Sequence, residues 1–170
     1  MAIYYSTLRQ AATRPQATLA KTINEAQSLG VKTAFLCHSH VDKTLVEGFE
    51  NYVRQKGWRI YIDWLDTSMP DKPNRTTANK IKAKIETTNI FIFLATRNSM
   101  TSRWCPWEIG YADGVKQIDD ILVVPTIDDS LTYHGSEYLQ LYRKLDVSAK
   151  DRFAVWAPGA EMGTAASSLY

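Results

Sequence analysis

The chain has 170 residues, enough for one domain that buries roughly 70% of its unfolded surface. A net charge of +2 with both signs interspersed excludes the basic face of a nucleic-acid binder or of a protein held on an anionic membrane. Two cysteines give no disulfide framework, no early segment reads as a signal peptide, and no apolar run reaches the ~20 residues of a membrane span, so the expected setting is cytoplasmic with reduced thiols.

Residues 1–30 read as a helical extension. Ala17 to Leu29 forms a short helix with Leu19, Ile23 and Ala26 on one side and Gly30 at its end. The domain proper is expected over 31–158, with a tail over 159–170 that is rich in Ala, Gly and Ser and has no face to bury.

Thr33 to Cys37 is a short apolar run suited to a strand buried on both faces. Asp42 is placed to cap a helix over Lys43 to Lys56 whose inward residues are Leu45, Val46, Phe49, Tyr52 and Val53, closed by Gly57. Trp58 to Ile62 is a second strand, ending at Asp63. Trp64 to Arg75 has two prolines and almost no periodicity, and reads as a long functional loop. Thr76 to Glu86 makes a helix, and Ile90 to Ala95 a central strand of continuous apolarity.

A polar turn over Thr96 to Thr101 then leads to a helix over Ser102 to Lys116, capped by Ser102. At ~100° per residue, Trp104, Trp107, Tyr111, Val115 and Ile118 form one stripe wide enough to face a core. Glu108 falls inside it, about 40° from Trp104 and about 20° from Val115. A carboxylate there is costly without a partner, and a salt bridge to Arg103, Lys116 or a loop arginine is its structural explanation. Ile121 to Ile127 is a fourth strand, with Pro125 favouring an end or edge, and Leu141 to Leu145 a fifth, short edge strand.

Alternating strands and helices predict an α/β fold, a parallel sheet covered on both faces with its ligand crevice beyond the carboxyl ends of the strands. His38, Ser39, Asp63, Trp64, Thr96 and the start of the Trp104 helix gather at that edge. No G-x-G-x-x-G follows the first strand and no G-x-x-x-x-G-K-[ST] occurs, so Rossmann and P-loop readings fail. Cys37, His38 and His40 fit no common zinc spacing, so no metal is expected, and Cys37 and Cys105 read as buried structural thiols.

Three segments carry a resemblance: Ala-Phe-Leu-Cys-His-Ser-His-x-Asp from Ala34, Gly-Trp-Arg-Ile-Tyr-Ile-Asp from Gly57, and Ser-Arg-Trp-Cys-x-x-Glu from Ser102. From about Lys32 to Asp146 the chain resembles the Toll/interleukin-1 receptor (TIR) domain, particularly bacterial forms of the Thoeris anti-phage kind. The resemblance implies a flavodoxin-like three-layer sandwich of five parallel strands in the order 2-1-3-4-5, with the N-terminal extension added. It implies an NAD+ nucleosidase that cleaves the nicotinamide–ribose bond without a cofactor, NAD+ being substrate. It makes Glu108, in Trp-x-x-x-Glu, the catalytic residue. His38, Trp64 and Trp104 become candidates to stack on the substrate's rings, and Ser39, Asp63 and Asp66 to meet its hydroxyls. Where many members carry Tyr, this chain has His38. Partners implied are a homo-oligomer through TIR–TIR contacts and a separate effector protein that reads the product. The alternative is a non-catalytic adaptor that self-associates through the 64–75 loop.

Overall fold

The computed structural model describes residues 2–14, 22–55, 60–63, 74–148 and 152–166. Its elements run β1 (Ile3–Tyr4), α1 (Tyr5–Ala12), α2 (Ile23–Ser28), β2 (Lys32–Cys37), α3 (Lys43–Gln55), β3 (Ile60–Asp63), α4 (Arg75–Thr87), β4 (Ile90–Ala95), α5 (Arg97–Thr101), α6 (Cys105–Val115), β5 (Ile121–Ile127), β6 (Tyr133–His134), β7 (Arg143–Val147), β8 (Phe153–Trp156) and β9 (Thr164–Ala165). Strands β3, β2, β4, β5 and β7 lie side by side and all pair in parallel. This is the expected 2-1-3-4-5 order.

Alternation along the strands builds two cores. Ile90, Ile92 and Leu94 of β4 join Ala34 and Leu36 of β2 and Leu122 and Val124 of β5 beneath α1 and α3. Phe91, Phe93 and Ala95 join Phe35, Cys37, Ile121 and Val123 beneath α4 and α6. A strand covered on both faces must be apolar at every position, which is why β4 is continuously apolar and fully buried.

Four expectations are corrected. The sheet does not end at the fifth strand: β8 and β9 extend it in antiparallel fashion, and β1 and β6 pair with the end of β5. Residues 159–166 are therefore more than a tail. Ala166 is buried, and Gly163 lies so close to the Trp156 indole that a Cβ would stand 2.6 Å from it. Pro125 sits in a central strand, in the interval between the β7 register at Leu122–Val123 and the β1 and β6 registers at Thr126–Ile127. There its missing N–H breaks no ladder bond to those neighbours. The 96–101 turn contains α5, closed by a capping box between Thr96 and Ser99.

The N-terminal extension differs from its expected form. Its described helices are α1, which lay unpredicted, and α2, the end of the expected 17–29 helix; residues 15–21 lie outside the described residues. Gly30 ends that segment with φ +65°, as its position required. Helix α1 packs on α3 where Leu8, fully buried, crosses Gly48, and Asn51 donates to the Ala11 carbonyl at 3.2 Å. The Gly48→Ala substitution gains about 1 kcal/mol of helix propensity. It also places a methyl 1.9 Å from the Leu8 carbonyl oxygen. The clash is the larger effect: thermal unfolding should show a net loss of about 2 kcal/mol or more. A variant as stable as wild type would show that α1 does not pack here.

Candidate active site

The carboxyl ends of β2, β3 and β4 form one edge of the sheet, and α6 begins over it. Ser102 accepts from the Trp104 and Cys105 N–H groups at 3.1 and 3.3 Å, acting as the expected cap, and Pro106 fits the first turn. The regular helix starts at Cys105 with Trp104 as its flanking residue. Its buried face is Cys105, Glu108, Ile109 and Ala112.

That face is rotated from the expected one. Val115 and Ile118 are exposed, and Trp104, Trp107 and Tyr111 form a half-buried ladder beside the core. Trp104 meets Trp107 edge to face at 5.2 Å, and Trp107 stacks on Tyr111 at 6.0 Å. Lys82 of α4 lies over both Trp107 and Tyr111, and the Tyr111 hydroxyl donates to Glu86. Aromatic rings with polar edges suit a seam between two helices better than the closed core. Glu108, read as an intruder in the aromatic stripe, belongs to the more deeply buried face.

Glu108 is 7% exposed. Among the described residues no ion pair reaches it. Lys116, at the far end of α6, donates to the Thr88 carbonyl at 2.6 Å, and Arg103 is exposed. The salt-bridge explanation is thus not met among these residues. The Cys37 thiol, at the end of β2, is a neighbour that favours the charged form of the carboxylate. Burial lifts the Glu108 pKa to about 7, a rise that the thiol opposes.

His38 and Ser39 follow Cys37 directly, as expected. The His38 ring is 2.8 Å from the Leu36 carbonyl through Nδ1, and since a carbonyl can only accept, Nδ1 carries the proton. Burial lowers the His38 pKa, so the ring is neutral near pH 7. Ser39 is half-buried, and its carbonyl accepts from the Asp42 N–H at 2.9 Å. Asp63 ends β3 opposite Phe35, which places its backbone at the same edge. Trp64 and Asp66 lie outside the described residues.

One functional group was misassigned from the sequence. Asp42 does not cap α3; its buried carboxylate accepts from the Thr96 hydroxyl at 2.5 Å and the Asn98 amide at 2.6 Å. It thereby clamps the His38–Ser39 turn to the β4–α5 turn. The Tyr5 hydroxyl, brought by the N-terminal extension, accepts from the Arg97 N–H at 2.9 Å in the same cluster. Such pairs, 54 and 92 residues apart, leave no mark in local spacing.

The sequence model of the family described as "TIR domain" matches residues 34–155, well over half of the chain. The chain belongs to the TIR family. Over 112 residues, 64% of this chain, it is 38% identical to a Bacillus cereus (strain MSX-D12) protein called "Probable 3' cyclic ADP-D-ribose synthase ThsB'", of which the match covers 57%. Over 94 residues, 52% of the chain, this TIR protein is 28% identical to "Putative cyclic ADP-D-ribose synthase TIR2" of Cytobacillus dafuensis, of which the match covers 24%. The chain thus spans little more than half the length of one relative and a quarter of the other.

A carboxyl group whose pKa rises from the ordinary 4.5 to about 7 keeps its proton in the fold where the unfolded chain has lost it. Ionising it therefore costs stability: nothing below about pH 4.5, and the full amount, up to about 3 kcal/mol, above about pH 7. The Glu108→Gln variant should melt higher than wild type at pH 8 and lose that advantage at pH 4. An equal difference at both pH values in paired melting curves would contradict the burial of a lone carboxylate.

Proposed function

We propose that this TIR protein is an NAD+ nucleosidase, cleaving the bond between nicotinamide and ribose to make an ADP-ribose-derived signal in bacterial anti-phage immunity. The observation that carries this reading is Glu108: a buried carboxylate in the first turn of α6, with no ion pair among the described residues. The names of the two relatives, both cyclic ADP-D-ribose synthases, support the substrate class.

The chemistry needs little more than this carboxylate. The nicotinamide of NAD+ already carries positive charge, so it departs with the electrons of the C1–N bond as a neutral ring, without a proton donor. Positive charge is left on the ribosyl centre, and a carboxylate in a poorly screened place stabilises it. With a pKa near the working pH, Glu108 is also a competent base for a ribose hydroxyl. Water at the ribosyl centre gives free ADP-ribose; an internal nucleophile gives a cyclic product.

The neutral His38 ring does not repel the nicotinamide cation, so the change from Tyr keeps a stacking surface. In this reading His38, Trp104 and Trp64 hold rings, and Ser39, Asp63 and Asp66 meet hydroxyls. The enzyme acts in the cytoplasm as a homo-oligomer through TIR–TIR contacts, needs no cofactor or metal, and hands its product to a separate effector protein. The adaptor reading, with self-association through residues 64–75, leaves the cost of burying Glu108 without a purpose.

Concentrated protein incubated with NAD+ should release nicotinamide and an ADP-ribose product detectable by mass spectrometry. Glu108→Gln should lower the rate roughly a hundredfold or more with an unchanged far-UV circular dichroism spectrum. Wild-type turnover in that variant would refute the role of Glu108. Absence of cleavage by the assembled wild-type protein would favour the adaptor.

A further inference from the structure

The N–H groups in the first turn of a helix have no partner inside it. In α5 the Ser99 N–H is met at 2.9 Å by the hydroxyl of the helix's own cap, Thr96. The Arg97 N–H, at the first helical position, is met at 2.9 Å by the Tyr5 hydroxyl, 92 residues away. Tyr5 is the first residue of α1 and lies outside the span matched by the family model. The N-terminal segment therefore completes a helix start that belongs to the TIR core.

The ring that carries this hydroxyl is firmly held. Tyr5 is 7% exposed and belongs to the core that α1 and α3 cover. It stacks on His134 with centroids 6.2 Å apart, and His134 in turn meets Asp128 at 3.0 Å. Strand β1, just before it, is pinned to the end of β5 by the registers Ile3–Thr126 and Tyr4–Ile127. Burial holds the phenol above its ordinary pKa, so it stays a neutral hydroxyl at working pH.

What the hydroxyl holds leads directly to Glu108. Helix α5 is five residues long, too short to be stable alone, so its place depends on bonds from outside it. Asp42 fastens its start from the β2 side, through Thr96 and Asn98, and Tyr5 fastens it from the N-terminal side. Only Ser102 to Trp104 separate α5 from α6, and Ser102 caps α6. Glu108 lies in the first turn of α6, so a shift of α5 is passed on to the carboxylate.

We propose that Tyr5 is a positioning residue of the active site, its hydroxyl holding α5, and through α5 the first turn of α6, at the ligand edge of the sheet. This rests on the reading of Glu108 given above. A tyrosine that only packed the core would be exchangeable for phenylalanine without loss of turnover; one that places α5 would not.

The test removes the bond from each side in the full chain. Tyr5→Phe keeps the ring and loses only the acceptor; Arg97→Pro removes the donor at the one helical position where proline is tolerated. Each should lower kcat for NAD+ cleavage roughly tenfold with KM within about twofold. In the Arg97→Pro background, Tyr5→Phe should change kcat by less than about twofold, because the bond is already gone. Hydrogen exchange of the 98–101 amides, read by mass spectrometry, should quicken roughly tenfold in both single variants. Asp129→Asn, which breaks only the exposed pair with Arg9 on α1, should leave kcat and exchange within about twofold of wild type.

Wild-type kcat in Tyr5→Phe with only a lower melting temperature would overturn the proposal. So would fully additive losses in the double variant, or an equal loss in Asp129→Asn, which would assign the effect to the docking of α1 in general. If Tyr5→Phe does not fold, wild-type kcat and exchange in Arg97→Pro overturn it equally. Wild-type protein that cleaves no NAD+ would sink the enzymatic reading instead, and the exchange rates alone then decide whether Tyr5 holds α5, unchanged rates refuting it.

Discussion

Removing a carboxylate from water with no cation beside it among the described residues is the constraint on which this molecule depends. Glu108 is held under that penalty by the apolar rows of β2 and β4 and by α6, whose buried face carries Cys105, Ile109 and Ala112 beside it. The stability lost to desolvation is what raises its proton affinity into the range useful for chemistry. Stability and the proposed chemistry pull in opposite directions at this one residue.

The rest of the edge is braced around it by polar contacts that reach far along the chain. Asp42 joins the turn after β2 to the turn after β4, and Tyr5 brings the N-terminal segment to the same place. Arg9 fastens α1 further with two 2.8 Å bonds to the exposed Asp129, a pair that water screens. The deeper hold is apolar, through Leu8 against α3. The N-terminal extension is, through Ile3, Tyr5 and Leu8, part of one of the two cores.

What was legible in the sequence follows from how local its cause is. Strand β4 was read to the residue because burial on both faces leaves a run of apolar side chains with no alternation to confuse it. The covered parallel sheet followed from the β-α alternation, its strand order from the TIR resemblance, and the burial of the Glu108 carboxylate from its helical angle. The orientation of α6 was misread because Trp and Tyr weigh heavily in a stripe, although their polar edges let them lie in the seam against α4. Helix α1 is eight residues long and lacks a side-chain cap, so only its packing on α3 reveals it. The Asp42 clamp and the Cys37–Cys105 contact join residues more than fifty positions apart, and register, not spacing, brings them together.

The central claim is that a single carboxylate of raised pKa performs the cleavage in its charged form. The most direct measurement is the pH dependence of kcat/KM for NAD+ cleavage by the wild-type protein from pH 5 to 9, because that ratio reports the free enzyme's essential group. The account predicts activity that climbs about tenfold per pH unit on the acid side and levels off with a midpoint near 7. A profile already flat from pH 5, or one whose midpoint lies at the ordinary carboxylate value of 4.5, would contradict it.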